Sequence, residues 1–313
     1  MPFSTITGTG FHQPERVVTN DDLAKLVKTD DAWIRRRTGI RTRRIAAADE
    51  QVSDLAAPAA HMAMRSAGLP SDAISLVIVA TCSARDRCPS TAAEVAGRLG
   101  LTNAVCFDIN NACAGFSTAL NLAENSIRTD QSRHALVIGA EKMSDVTDWS
   151  DRSSCILLGD GAGAVIVSAG DRQGIHPAEW GTDPSLRDNV TIRGSWEADF
   201  TQNGASVFRW ATSTMASTAR EAVARAGLDI ENIGAFIAHQ ANLRIIEPIV
   251  DDVGLGHALI ARDVVESGNT SAASIPLALS KLSHSGELPA GVPTLLLSFG
   301  GGLSWSSQVI LSP

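Results

Sequence analysis

A helix–turn–strand pattern that occurs twice is the feature that most constrains this fold. In the first copy an alanine-faced stretch leads through Gly68 to the apolar run 76–80, and in the second a similar stretch leads through Gly227 to the run 235–238. The glycines are 159 positions apart (227 − 68), and the apolar runs share that offset. Glycine after such a stretch is typical of a helix end, and a short apolar run is typical of a strand buried on both faces. The offset predicts two similar α/β halves; chance similarity of two helix–strand units is the alternative.

The predicted boundary between the halves lies near residue 170. The strand-like run 164–168 closes the first half, and the irregular stretch 171–205, rich in Gly, Asp, Pro and Asn, follows it. We therefore predict halves at residues 1–170 and 171–313. A chain of 313 residues is long enough to bury one large core or two of medium size.

Composition excludes several classes of function. A net charge of −8 with no long polybasic run argues against nucleic-acid binding, although the basic stretch 35–44 is either a solvated loop or a local anion site. The longest apolar runs have strand length, so no membrane span is predicted. The first ten residues lack a signal pattern, so a cytoplasmic location is expected. An odd number of cysteines without metal-ligand spacing favours free thiols and no metal site: Cys82, Cys88, Cys106, Cys113 and Cys155.

Cys113 is the first candidate for chemistry. Residues 104–110 alternate and predict a buried strand, whereas residues 115–128 have helical spacing, so Cys113 falls on a strand-to-helix turn. A helix N-terminus presents unpaired N–H groups and partial positive charge, which favour a thiolate. We therefore expect the pKa of Cys113 to lie below the value of about 8.5 for a free cysteine. The alternative is a buried cysteine that acts as a small hydrophobic residue.

His239 and Asn269 are the second and third candidates. His239 ends the short apolar run 235–238, and Asn269 lies in a polar turn that leads into a helical run at about 275–283. A single cysteine with a distant His and Asn is a recognised nucleophile arrangement, assembled in space rather than along the chain. The structural alternatives are a satisfied core histidine and an asparagine that caps a helix.

Two glycine-rich runs have different predicted roles. The run 159–163 precedes a strand instead of joining a strand to a helix, so it predicts close backbone packing and not a dinucleotide site. The run 300–302 lies between the strand-like runs 294–297 and 307–311. Three glycines exceed what a hairpin needs, and backbone N–H groups without side chains suit an oxyanion site. A plain turn is the alternative.

Taken together, several segments resemble β-ketoacyl-acyl-carrier-protein synthase III. The four signature segments are 111–116 (NACAGF), 239–242 (HQAN), 268–274 (GNTSAAS) and 299–302 (FGGG), and the segments 33–40 and 148–152 are also similar. The similarity runs in register from about residue 3 to the C-terminus. It implies an α/β thiolase fold, in which two similar βα halves form a five-layer αβαβα sandwich, usually as a homodimer. Two similar halves are also what the helix–turn–strand repeat predicts.

The resemblance implies a two-step reaction on acyl-CoA and malonyl thioester substrates. Cys113 would take the acyl group from CoA while the backbone N–H groups of Cys113 and Gly301 hold the oxyanion. A neutral His239 and the amide of Asn269 would then stabilise the enolate formed when the malonyl group loses carbon dioxide. The carbanion would attack acyl-Cys113 to give a β-ketoacyl product. The resemblance implies neither a metal nor a redox cofactor.

The resemblance also assigns residues to CoA and carrier-protein binding. These are Trp33 and Arg152 around the adenine, Arg37 and Thr38 beside them, Asn242 and Phe299 along the pantetheine tunnel, and Arg209 and Arg244 at its mouth, where an acidic acyl carrier protein would dock.

This chain departs from the family pattern at two places. Asp251 and Asp252 stand where lysines often contact the carrier, and like charges would repel an acidic partner. The loop 83–89 resembles one that caps the acyl pocket across the dimer, where Cys88 replaces a bulky aromatic residue of enzymes restricted to acetyl groups. With Leu158 as the other gate residue, the smaller Cys88 predicts a longer or branched starter.

Three functions are compatible with these residues. Decarboxylating condensation that starts fatty-acid or polyketide chains is favoured by the intact Cys113, His239 and Asn269 set. Acyl transfer from Cys113 to a carrier thiol or a hydroxyl, without loss of carbon dioxide, is the alternative enzyme. A non-catalytic scaffold would leave Cys113 unacylated.

Overall fold

The computed structural model describes residues 2–194 and 199–313. Within these ranges, no helix has both the length and the apolar character needed to cross a membrane. The strands are β1 (Phe3–His12), β2 (Val17–Thr19), β3 (Thr42–Arg44), β4 (Leu76–Ala80), β5 (Val105–Ile109), β6 (His134–Lys142), β7 (Asp160–Gly170), β8 (Glu179–Thr182), β9 (Val190–Arg193), β10 (Asp199–Gln202), β11 (Ala235–Ala238), β12 (Leu259–Ile260), β13 (Pro293–Gly300) and β14 (Ser304–Leu311). The helices are α1 (Asn20–Leu23), α2 (Asp31–Thr38), α3 (Val52–Ala67), α4 (Thr91–Leu99), α5 (Gly115–Arg128), α6 (Gly204–Arg225), α7 (Leu243–Val253), α8 (Val264–Ser267) and α9 (Ser274–Ser285).

Two five-stranded sheets form the framework. Their strand orders are β1-β7-β6-β4-β5 and β12-β11-β13-β14-β8. Strand β4 pairs in parallel with β5 and β6, and β11 pairs in parallel with β12 and β13, whereas the remaining pairs of both sheets are antiparallel. The carboxyl ends of the parallel strands are where Cys113 and His239 emerge, a position at which α/β sheets commonly bind ligands.

Helices cover both faces of each sheet. Alternate residues of β4 point to opposite faces: Val77 packs with α3 and α4, whereas Ile78 packs with α5. Helices α5 and α9 share one core with strands of both sheets and so lie between them. Helices α6 and α7 pack on the outer face of the second sheet. The order of layers is therefore α, β, α, β, α, as expected for the five-layer sandwich.

The repeat extends well beyond the elements that revealed it. The offset of 159 positions also relates α5 to α9, β6 to β13, and a 3₁₀ turn at Ala112–Ala114 to one at Ser271–Ala273. Ala112 and Ser271, which are related by the same offset, both adopt left-handed backbone conformations, with φ of 45° and 48°. Strands of the first sheet end at Gly170 and those of the second begin at Glu179. The division into halves at residue 170 stays a prediction.

Glycines allow the central layer to approach the first sheet. A Cβ at Gly163 would lie 2.3 Å from the backbone nitrogen of Leu277 in α9, and one at Gly139 would lie 2.3 Å from the carbonyl oxygen of Ala272. Both separations are far shorter than a normal van der Waals contact. This confirms that the run 159–163 serves close backbone packing.

The prediction of a buried strand before Cys113 is wrong in one respect. Strand β5 has the predicted position, but it is the edge strand of its sheet and none of its residues is fully buried. Val105 is 64% exposed. Alternation along a segment indicates a strand, yet it does not show whether another strand pairs on each side.

Candidate active site

One cavity of about 860 Å³ brings the three candidate residues together. Cys113, His239 and Asn269 all line it, although they are distant in sequence. Most of the predicted binding residues line it as well: Trp33, Arg37, Thr38, Leu158, Arg209, Asn242, Arg244, Phe299 and Gly301. Within the described residues, the lining does not include Arg152 or Cys88. The cavity is therefore a single site to which both halves of the chain contribute.

Cys113 is held on a tight turn against the glycine run. It lies in the 3₁₀ turn Ala112–Ala114, directly before α5. Gly300, at the end of β13, packs on it so closely that a Cβ at Gly300 would lie 2.7 Å from the Cβ of Cys113. Sequence analysis singled out the glycine run but named only Gly301, which lines the cavity one residue further on.

The expected lowering of the Cys113 pKa is wrong. Burial raises the pKa of the Cys113 thiol to about 11, and the negative charge of Glu141 acts in the same direction. A hydrogen bond to the Ser271 hydroxyl, 3.5 Å from the sulfur, opposes the rise without cancelling it. Desolvation of the thiolate is the largest contribution to this rise in pKa. Thiol activation needs a partner that removes the proton.

His239 is fixed by contacts on three sides. Its backbone N–H donates to the carbonyl of Leu297, 2.7 Å away, and its ring meets the ring of Phe299 edge-on at 5.4 Å. Nδ1 lies 2.8 Å from the Ser274 hydroxyl, whose oxygen also accepts the backbone N–H of Gln240. The hydroxyl proton is thereby directed to Nδ1, which assigns the ring proton to Nε2.

Burial also sets the charge of this ring. It lowers the pKa of His239 to about 3, so the imidazole is neutral at physiological pH. A neutral ring with its proton on Nε2 is a hydrogen-bond donor toward a developing negative charge.

Asn269 links the two halves at the cavity wall. Its backbone N–H donates to the carbonyl of Leu157 at 2.8 Å, and its carbonyl accepts the N–H of Gly159 at 3.1 Å. The side-chain oxygen accepts the backbone N–H of Ser271, 2.9 Å away, at the turn before α9. This contact is an Asx turn and not a helix cap, because Thr270 and Ala273 are the cap residues here and neither helix start has a side-chain cap. Because the oxygen is engaged in the turn, the NH₂ group is the part of the amide left to act in the cavity.

Two family models together match slightly more than half of the chain. The model for 3-oxoacyl-(acyl-carrier-protein) synthase III matches residues 107–184, and its C-terminal counterpart matches residues 223–311. The β-ketoacyl-(acyl-carrier-protein) synthase III 4 of Streptomyces coelicolor is 52% identical over 313 residues, with 99% of each chain covered. The chain belongs to the synthase III family. A homologue from Streptomyces avermitilis, β-ketoacyl-(acyl-carrier-protein) synthase III 2, is 53% identical with the same coverage.

Solved structures agree with this membership. A priming β-ketosynthase from a polyketide biosynthetic pathway superposes with a TM-score of 0.98 at 40% identity, covering 100% of this chain and 97% of that one. The synthase III of Aquifex aeolicus gives 0.95 at 38% identity, covering 99% of this chain and 100% of that one. The thiolase fold predicted from the sequence is confirmed, as is the prediction of an acyltransferase that performs the condensation which starts fatty-acid or polyketide chains.

At the outer end of this synthase III cavity, arginines gather around aromatic rings. The guanidinium groups of Arg152 and Arg37 lie 4.7 Å and 5.5 Å from the centre of the Trp33 ring. That of Arg244 lies 5.6 Å from the centre of the Phe208 ring. Arg152 thus contacts the predicted adenine-binding residue although it does not line the cavity. Cationic and aromatic groups together suit a nucleotide with phosphates.

Other residues that are predicted to bind CoA in this synthase III also form hydrogen bonds that hold the local backbone. Asn242 caps α7 by accepting the N–H of Arg244, and its amide donates to the carbonyl of Arg37. The Thr38 hydroxyl donates to the carbonyl of Ile34. Cys88 is exposed on its loop, so its predicted gate role concerns the partner subunit and stays a prediction.

Sequence analysis missed the polar groups behind the catalytic candidates. Ser271 and Ser274 lie within the GNTSAAS segment but were not assigned a role, although each contacts a candidate side chain. The sequence marks Cys82 only as a free thiol and does not point to Glu141. No local signal in the sequence marks Glu141, because its contacts come from two distant segments of the chain, residues 81–83 and Ala272.

Proposed function

We propose that this enzyme condenses an acyl-CoA starter with a malonyl thioester, with Cys113 as nucleophile and with His239 and Asn269 as enolate-stabilising donors. The observation that carries the proposal is the convergence of these three side chains on one cavity in a chain of the synthase III family. Cavity walls from both halves would hold the acyl group and the incoming malonyl group in fixed positions.

In the first step the sulfur of Cys113 attacks the acyl thioester. Backbone N–H groups of Cys113 and Gly301 hold the oxyanion, CoA leaves, and the acyl group stays on the sulfur. Gly300 allows the glycine run to lie directly against Cys113, which supports this assignment. Trp33, Arg37 and Arg152 hold the nucleotide end of CoA at the mouth.

In the second step the malonyl thioester loses carbon dioxide and its thioester oxygen gains negative charge. Nε2–H of His239 and the NH₂ group of Asn269 stabilise that charge, and loss of one such donor typically costs about 10²–10³ in rate. The carbanion attacks acyl-Cys113, and the β-ketoacyl product leaves. These steps use the sulfur, the imidazole, the amide and the backbone N–H groups, and we propose that thioesters are the only cosubstrates and that no metal or redox cofactor is needed.

Carbon dioxide release tests the proposal. The enzyme is first acylated with acyl-CoA, checked by intact mass, and then mixed with a malonyl thioester. We expect carbon dioxide in proportion to the β-ketoacyl product, and no acylation of the Cys113→Ala variant. Acylation followed by transfer to a thiol or hydroxyl without carbon dioxide would instead establish the alternative acyltransferase.

The inner end of the cavity supports a starter longer than acetyl. Its lining there is apolar and includes Leu158, Met143 and Phe200, which pack together in one cluster. We propose that the acyl chain lies against this cluster, with the loop 83–89 of a partner subunit as the remaining wall.

The mouth supports docking of a carrier protein. Arg209 and Arg244 line the opening, and Arg220 pairs with Asp252 at 3.1 Å, which reduces the repulsion expected from that aspartate. We propose that an acyl carrier protein delivers the malonyl group here. Added salt should then raise KM for the carrier-bound substrate more than for malonyl-CoA.

A homodimer is the proposed assembly. Strand β5 is an edge strand with Val105 exposed, and unpaired strand edges are sites at which two chains can pair. Pairing of two β5 strands would join the first sheets of both subunits and bring the loop 83–89 of each toward the other. Sedimentation should show a dimer, which a Val105→Asp change weakens.

A further inference from the structure

A line of hydrogen bonds leads from Cys113 into the protein interior. The Cys113 thiol donates to the Ser271 hydroxyl, with 3.5 Å between sulfur and oxygen. The same hydroxyl oxygen lies 3.5 Å from the sulfur of Cys82. The Cys82 thiol in turn donates to Oε1 of Glu141 across 3.2 Å. Two side chains, Ser271 and Cys82, thus connect the nucleophile to a carboxyl group that is fully buried.

Every partner of Glu141 is a hydrogen-bond donor. The hydroxyl groups of Thr81 and Ser83 donate to it, as do the backbone N–H groups of Cys82, Ser83 and Ala272. The three backbone N–H groups can only donate, and hydrogen bonds of this kind favour the carboxylate form of a carboxyl group. Among the described residues no lysine, arginine or histidine forms an ion pair with it. The cluster behind Cys113 therefore holds a buried negative charge without a cation.

A thiolate at Cys113 would add a second negative charge to this cluster. Like charges in a buried site repel strongly, and both lose hydration. If the thiol proton instead moves to Glu141, the cluster still holds one negative charge. That charge moves from the carboxylate of Glu141 to the sulfur of Cys113. His239 is a poor alternative acceptor because Ser274 holds its Nδ1, which places the ring proton on Nε2.

We propose that Glu141 stores the thiol proton of Cys113 while the acyl-enzyme exists. The S–H bond of Cys113 breaks as Ser271 gains a proton, Ser271 passes its own proton to the sulfur of Cys82, and Cys82 passes its own to Glu141. The result is a thiolate at Cys113 and a carboxylic acid at Glu141. This inference rests on the proposed acylation of Cys113.

The stored proton balances the whole reaction. In acylation the sulfur–carbon bond to Cys113 forms, the bond to CoA breaks, and CoA leaves as a thiolate that takes its proton from solvent. In condensation the malonyl carboxylate leaves as carbon dioxide, the new carbon–carbon bond forms, and Cys113 leaves as a thiolate. The proton then returns from Glu141 through Cys82 and Ser271, which restores the starting state.

Proton uptake during acylation tests this inference. Without a stored proton, the proton of Cys113 would end on CoA, and acylation would take up nothing from solvent. With storage, each acylation takes up one proton, because CoA thiol, with a pKa of about 8.5 for an ordinary thiol, is protonated at pH 7. The enzyme is mixed with acyl-CoA in weak buffer with an indicator dye and no malonyl substrate, and the acylated fraction is counted by intact mass.

We expect an uptake of about one proton per acylated Cys113 in the wild type and of none in Glu141→Gln, which acylates more slowly. Cys82→Ser keeps a group that carries protons and should retain the uptake, whereas Cys82→Ala should lose it. Ser83→Ala, which removes a hydrogen bond to Glu141 outside the line, is the matched control and should retain it.

Wild-type acylation without proton uptake would overturn the inference and leave the proposed function intact. Equal uptake by Cys82→Ala and Cys82→Ser would overturn it too, even if Glu141→Gln does not fold. Failure of wild-type Cys113 to acylate would contradict the proposed function itself, and this inference with it.

Discussion

At the scale of single residues, backbone proximity at Gly300 is as important as the identity of the reactive groups. A methyl group at this position would lie 2.7 Å from the Cβ and 2.9 Å from the backbone nitrogen of Cys113. Gly300→Ala should therefore displace the nucleophile and slow acylation by about 10²-fold, since small misplacements cost that much. Single-turnover acylation measures the effect. Gly256→Ala, where a Cβ meets open space, is the matched control; equal slowing in both variants would contradict the argument.

The buried imidazole makes a second prediction at this scale. Burial lowers the pKa of His239 from 6.5 to about 3 in the folded enzyme. Between these values the unfolded chain binds a proton that the folded chain does not, so stability falls as the pH drops from 6.5 toward 3. His239→Asn should reduce the slope of unfolding free energy against pH in denaturant titrations between pH 6.5 and 4.5. His61→Asn, on the exposed face of α3, is the control, and an unchanged slope in His239→Asn would contradict the prediction.

The residue types in the sequence predicted which side chains form the active site, but not the direction in which their pKa values shift. Cys113, His239 and Asn269 were identified from their positions after strands and before helices, and they do converge. The direction of the Cys113 pKa was predicted wrongly, because a sequence shows a helix N-terminus but not the volume of protein that surrounds the sulfur. Glu141 escaped notice for the same reason, since burial and donors from distant segments define it.

At the scale of elements, the first turn of α9 controls the orientation of His239. Ser274→Ala would leave Nδ1 without its donor and remove the reason for the proton to stay on Nε2. Decarboxylation of the malonyl thioester should slow by about tenfold, the value of one hydrogen bond, while acylation of Cys113 remains unchanged. Ser280→Ala, on the same helix, removes a buried hydrogen bond to the carbonyl of Gly10 and is the matched control. Slowing of both half-reactions by Ser274→Ala would instead indicate a general packing role.

The repeat explains why the elements around the site could be predicted well. Runs 76–80, 115–128 and 235–238 match β4, α5 and β11 at both ends. Related turns share their details too: the Asn110 side chain accepts the N–H of Ala112, as Asn269 accepts that of Ser271. The same turn geometry thus serves two purposes, since one copy presents the nucleophile and the other presents an amide. The spacing of hydrophobic residues and the glycines at helix ends specify such elements within a short segment of sequence. The edge position of β5 depends instead on the order of strands in the sheet, which a short segment does not show.

At the scale of the whole molecule, the cavity is completed by two halves of the chain and, in our proposal, by a second subunit. The sequence predicted the five layers because the repeat and the family resemblance agreed. It could not show that Cys88 lies outside the cavity of its own chain, since that depends on how the loop 83–89 leaves the first sheet. The predicted role of Cys88 in limiting the acyl pocket therefore concerns the dimer and not the single chain.

Mixed dimers separate a gate within the chain from a gate across the dimer. Cys88→Phe alone should shorten the range of acyl-CoA chains that acylate Cys113, because an aromatic ring from the partner fills the pocket. In a dimer of one Cys88→Phe subunit and one Cys113→Ala subunit, the only reactive sulfur faces the partner's unchanged Cys88 loop. Long chains should be accepted again there, as scored by the intact mass of the acylated subunit. Rejection of long chains by this mixed dimer would place the gate within its own subunit, and an unchanged range in the Cys88→Phe homodimer would remove the gate altogether.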